Sequence, residues 1–137
     1  MELDKLTEYI IEFYDKLSSW EHSVVRESNL SPAQVHTIEV IGHNRDMNMK
    51  ELTSRLGITT GTLTVAVDRL EKLGLVAREP HQNDRRSFLV VLTGQGKEVY
   101  EKHHQFHHEF TRQILEDFDQ SEIESLTSLL PRILNKM

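Results

Sequence analysis

Three groups of residues in this 137-residue chain have the types and spacing for chemistry. The first is a run of hydroxyls around a glycine, Thr59, Thr60, Gly61, Thr62 and Thr64, followed closely by Asp68 and Arg69. Hydroxyls bond phosphates or base edges, threonine methyls touch thymine methyls, and a glycine lets the backbone come close to a ligand. The second is Asp84, Arg85 and Arg86, set in the polar stretch HQNDRR between two extended runs. Adjacent guanidinium groups at a hairpin tip suit the narrow minor groove of DNA, whose negative potential attracts them. The third is histidine: there are eight, four of them in EKHHQFHHEF. On a helix His103 and His107 are i, i+4 neighbours, as are His104 and His108. Only the first pair falls on the side of Val99, Phe106 and Phe110; the second points away from that stripe. An inward i, i+4 pair completed by a third side chain suits a Zn²⁺ ion. His36 is the natural third ligand, with Glu39, His43, Glu21 or His22 as helpers. Each group also has a plainer reading. The threonines serve as caps, the arginines decorate a solvated loop, and the histidines hydrogen-bond across helices or titrate near neutral pH.

Composition narrows the field. There is no cysteine, hence no disulfide and no thiolate for redox or metal chemistry. A glycine-rich phosphate loop and a nucleophile-elbow serine are missing too, so the chain does not read as an enzyme. No apolar run is long enough to span a bilayer, and the N-terminus lacks a signal peptide's basic start, so a cytoplasmic protein without a membrane partner is expected. The net charge of −6 hides an uneven distribution. Residues 1–47 carry −5 and residues 94–137 carry −3, whereas residues 48–93 carry +2. A phosphate backbone responds to that local field rather than to the total.

The elements that must hold these groups follow from periodicity. Residues 2–25 predict an amphipathic helix striped by Leu3, Leu6, Ile10, Phe13, Leu17 and Trp20, which needs a partner to cover it. Ser31-Pro32 starts a second helix with Val35, Ile38 and Ile41 on one face, followed by a polar connection at residues 44–47. Asn48 caps a short helix with Leu52 and Leu56 inward, ended by Gly57. Thr59 or Thr60 caps the next, in which Leu63, Val67 and Leu70 face inward and Gly74 stops the helix. Two such helices joined by a tight turn form a helix-turn-helix. Residues 75–80 and 87–92 predict a hairpin. The longest helix is expected from Thr93 to about residue 117, and a last one after Asp119 or Ser121, kinked or broken at Pro131. The fold class is thus mainly α with a small β-hairpin wing: a winged helix-turn-helix at residues 30–93, with dimerisation helices at 1–29 and 94–137, in one domain.

The stretch GTLTVAVDRLEKLGLVAREPHQNDRRSFLVVLTGQGKEV resembles the signature of the MarR family of transcriptional regulators. In that family a leucine-rich helix end precedes a wing with Asp-x-Arg, here Asp84 and Arg86. Alternating apolar residues and Leu-Thr-x-x-Gly follow, here Leu89, Val91, Leu92, Thr93 and Gly96. The resemblance implies that Arg86 enters the minor groove, that Asp84 braces the wing, and that the Thr59–Asp68 face reads the major groove. It implies a homodimer on a pseudo-palindromic operator, acting as an effector-responsive repressor of transcription; a winged helix kept only for protein interaction is the alternative. Two sub-branches fit the sensing side. Zinc-responsive members place histidines where His36, His103 and His107 stand. Repressors of fatty-acid synthesis share the same positions and resemble VHTIEVIGHNRDMNMKELTSRLGITTGTLT, which makes His36, His103, Phe106 and His107 an effector pocket for an acyl chain or another small molecule.

Overall fold

The computed structural model describes residues 1–45, 47–81 and 84–137, apart from the side chains of residues 81 and 84–86. The chain divides into two compact units, Met1–Lys102 and His103–Met137. In the first, α1 (Glu2–Glu27) leads to α2 (Pro32–Asn44), β1 (Met47–Asn48), α3 (Met49–Leu56), α4 (Thr60–Lys72), β2 (Val76–His81) and β3 (Asp84–Leu92). Helix α5 (Gly94–Ile114) begins in the first unit and ends in the second, which also holds α6 (Gln120–Leu134).

The helix boundaries have local causes. Ser31 and Gln34 form a reciprocal capping box at α2, with Pro32 at the first helical position. The Asn48 side chain accepts from the Glu51 amide at 2.8 Å to cap α3. Gly57 ends α3 with φ of +65°, a left-handed conformation that costs glycine nothing, and Ile58 follows into the turn. Helix α1 runs two residues further than the apolar stripe indicates. It stops where Asn29 takes a positive φ of 62°.

The hairpin is the larger part of a three-stranded antiparallel sheet of order β1-β3-β2. Val76 pairs with Leu92 and Arg78 with Val90. On the other edge Met47 pairs with Val90, and the register of β2 slips between Pro80 and His81. The supposed polar connection at residues 44–47 therefore ends in a strand residue: Met47 is buried and belongs to the core. That core gathers Ile38 and Ile41 from α2, Leu52 from α3, Leu63, Val67 and Leu70 from α4, and Val76 and Val90 from the sheet.

Two expectations are corrected and one choice is resolved. Helix α1, with 26 residues, is longer than α5, with 21, because α5 gives way to a turn at residues 115–117 before Asp119 opens a new capping box with Glu122. That capping box also settles which of the two candidate residues starts α6. Helix α6 runs unbroken through Pro131 to Leu134, so the expected local break is absent. Proline there removes one donor in the last helical turn only, so the loss is confined to a single bond.

Candidate nucleic-acid interface

Helix α4 is split cleanly into two faces. Leu63, Val67 and Leu70 are fully buried and Ala66 nearly so, which fixes the helix on the core. Thr60, Gly61, Thr62, Thr64, Val65, Asp68 and Arg69 are exposed. Thr59 is the N-cap: its oxygen accepts from the Thr62 amide at 3.2 Å, and its hydroxyl donates to Thr62 Oγ1 at 2.9 Å. The Thr62 hydroxyl, having accepted, keeps its own proton to donate. Thr64 Oγ1 donates to the Thr60 carbonyl at 2.8 Å, so toward a ligand it offers acceptor lone pairs and a methyl group. A Cβ at Gly61 would meet nothing within 4 Å, which leaves an open approach to the backbone. Val65 is half exposed in the middle of this face and adds an apolar surface beside the threonines, the kind of group that packs on a thymine methyl. Arg69 borders a hollow of about 270 Å³ shared with Ser31, Gln34, Thr62 and Val65.

Asp68 is tied to the wing. Arg78 on β2 donates from Nη2 to Asp68 Oδ1 at 2.5 Å and from Nη1 to Glu71 Oε1 at 2.7 Å. Its guanidinium also lies 5.2 Å from the centre of the Phe88 ring. The bond to Asp68, above all, holds the Arg78 pKa above its ordinary value, partly offset by desolvation. Arg78 is the residue that sequence reasoning missed. The available signal was an arginine early in the first hairpin strand, after two acids three residues apart on one helix face. The roles expected of Asp84, Arg85 and Arg86 rest on side chains outside the described residues, at the start of β3.

A second linkage holds the end of α4 to the start of α5. Thr93 Oγ1 donates to the Gly74 carbonyl at 2.6 Å and accepts from the Gly96 amide at 3.1 Å, and the Thr93 amide donates to the Leu75 carbonyl at 3.1 Å. A Cβ on Gly96 would sit 1.9 Å from the Leu75 carbonyl oxygen, so only glycine fits there. This gives the Leu-Thr-x-x-Gly pattern a physical cause.

The histidines divide between the units. His36 is exposed on α2 and lines a hollow of about 270 Å³ with Glu21, His22, Val25, Pro32 and Glu39. In the second unit the Nε2 atoms of His103 and His107 are 3.1 Å apart, with ring centres at 4.8 Å. Two imidazoles on one tetrahedral zinc ion bring their nitrogens to about 3.3 Å, so this pair fits two positions of such an ion. It equally fits one imidazole donating to the other. Phe106, between them in sequence, is 39% exposed.

The apolar faces at both ends of the chain are open. On α1, Leu3, Leu6, Tyr9, Ile10, Phe13 and Tyr14 are each more than half exposed. On α6, Leu130, Ile133 and Leu134 are likewise. No helix among the described residues is long and apolar enough to cross a membrane.

Comparison with known proteins agrees with this geometry. Residues 28–87 match the family model described as MarR family. The chain is similar to the homoprotocatechuate degradative operon repressor of Escherichia coli, at 28% identity over 96% of this chain and 88% of that protein. Its structure resembles that of Streptococcus pneumoniae FabT in complex with DNA, with a TM-score of 0.83 and 25% identity over 96% of this chain and 94% of that one. It also resembles NadR in complex with 4-hydroxyphenylacetate, with a TM-score of 0.76 and 26% identity over 90% of this chain and 88% of that one. Of these, the Escherichia coli relative is by name an operon repressor.

Proposed function

We propose that this chain, which belongs to the MarR family of winged helix-turn-helix transcriptional regulators, represses transcription as a homodimer on a pseudo-palindromic operator. Helix α4 would enter the major groove and the β2–β3 wing the adjacent minor groove, with Arg85 and Arg86 at its tip. The observation that carries this reading is the division of α4: four buried apolar residues lock it to the core, while Gly61, Thr62, Thr64 and Val65 face outward. The likeness to FabT, solved with DNA, supports it. The open stripe on α1 supports self-association, since two copies can cover each other's apolar faces and space two reading heads along a duplex. A DNA-bound regulator of this kind would work in the cytoplasm.

The test is a duplex enriched by the protein from a random-sequence library. Arg85→Ala with Arg86→Ala should weaken binding and lower the log–log salt slope by about 0.9 for each phosphate no longer neutralised. Unchanged affinity and slope would take the wing arginines out of the interface, and failure of the wild type to enrich any duplex would leave a protein-interaction module as the better account.

An effector would act by binding the DNA-competent and DNA-incompetent forms unequally, and its effect is limited by that difference. NadR, solved with 4-hydroxyphenylacetate, supports a small organic molecule, and an acyl chain is the other organic choice. The His103–His107 spacing favours a second reading, a Zn²⁺ response with these two imidazoles among the ligands. Calorimetry with Zn²⁺ on the wild type and His103→Ala decides it: no heat from the wild type ends the zinc reading. An acyl lipid carried by the purified protein in native mass spectrometry favours the organic one.

A further inference from the structure

Resting on the DNA-binding reading, we propose that Arg78 is a positioning residue for operator recognition: it clamps the reading helix to the wing through Asp68 and Glu71. Three observations support this. Arg78 reaches two carboxylates on one face of α4 with two different nitrogens, at 2.5 and 2.7 Å, so both the distance and the rotation of the helix against β2 are held. The guanidinium is kept in place by the Phe88 ring at 5.2 Å, and Phe88 belongs to β3, so all of α4, β2 and β3 meet at this one group. The backbone of β2 at Arg78 is paired with Val90, a fully buried residue of the core sheet, so the clamp is anchored on a rigid strand and not on the hairpin tip.

The clamp also explains why a helix that approaches phosphates carries two acids. A helix in the major groove and a wing in the minor groove must engage together, and a small change in the angle between them disengages one of the two. Asp68 and Glu71 serve that angle rather than base reading. Arg78 is 27% exposed, which leaves little of its charge free for direct phosphate contact.

The experiment uses the full chain and the library-selected duplex, with an unrelated duplex as control. Arg78→Gln should weaken binding to the selected duplex by about three- to tenfold, in line with coupling within one side-chain network. Binding to the unrelated duplex and the salt slope should stay at wild-type values, and Arg78→Lys should recover part of the loss. A direct phosphate contact predicts instead a slope lowered by about 0.9 and equal loss on both duplexes, which overturns the proposal. The triple variant Asp68→Asn, Glu71→Gln, Arg78→Gln separates orientation from charge. Under the clamp it stays as weak as Arg78→Gln. Recovery to wild-type affinity would mean that Arg78 only masks two carboxylates, and positioning is refuted. If the wild type itself enriches no sequence, it is the DNA-binding reading that fails.

Discussion

Thr93→Val is the sharpest test of how the end of α4 is joined to α5. Valine has nearly the shape of threonine, so packing is kept and only the hydroxyl is lost. That hydroxyl makes two hydrogen bonds, to the Gly74 carbonyl at 2.6 Å and from the Gly96 amide at 3.1 Å. A hydrogen bond contributes about 0.5–1.5 kcal/mol net, and a buried donor left without a partner costs about 1–3 kcal/mol. Gly96 is buried against the Leu75 carbonyl, so its amide has no easy route to water. The sum is a loss of about 2–4 kcal/mol. With a urea m-value of about 2 kcal/mol per molar, the midpoint should fall by about 1–2 M at unchanged slope. The comparison must be made at one protein concentration, since self-association adds to apparent stability. Thr93→Ser keeps the hydroxyl and removes one methyl group, so it should cost only about 0.8 kcal/mol. The reasoning is wrong if valine lies within about 0.5 kcal/mol of the wild type, or if serine is as damaging as valine.

Three further outcomes follow from the same geometry. Gly57→Ala meets no steric obstacle, yet should lose about 1–2 kcal/mol in urea unfolding because alanine must adopt a φ of +65°. Gly61→Ala has open space and ordinary helical backbone, so stability should be unchanged or slightly raised while affinity for the selected duplex drops; equal affinity would remove the backbone-approach argument. Ile10→Glu with Phe13→Glu, both exposed on α1, should convert a dimer to monomer in analytical ultracentrifugation without loss of helical circular dichroism, and a persistent dimer would place the interface elsewhere.

Most of the fold was legible because its signals are local. Ser31-Pro32, Asn48, Gly57, Thr59 and Gly74 each mark a helix boundary by local chemistry, a capping side chain or a left-handed glycine, and the i, i+4 leucines and valines of α4 fix which side is buried. What was not legible depends on distance in sequence. The two-residue β1 is too short to carry a periodic pattern and exists only because Met47 meets Val90 across the sheet. The Arg78 clamp depends on the register of a strand against a helix: the i, i+3 spacing puts Asp68 and Glu71 on one face but does not say which strand residue meets them. The Leu-Thr-x-x-Gly pattern was visible as a motif, but its cause, a carbonyl filling the place of a Cβ, lies on another element. The histidine ring pair was legible because i, i+4 spacing alone brings His103 and His107 together.

The sequence of the α2 end contains one glycine that is not at a turn. A Cβ on Gly42 would lie 2.4 Å from the Tyr100 ring, so the ring of α5 occupies the space where a side chain of α2 would stand. Size at these two positions is therefore a single shared quantity. A lineage that enlarges residue 42 must first, or at once, shrink residue 100, and the intermediate with both large is closed to it. Sites 42 and 100 should drift as a pair across descendants of this chain, with a smaller residue at 100 as the permissive step that lets glycine at 42 be replaced.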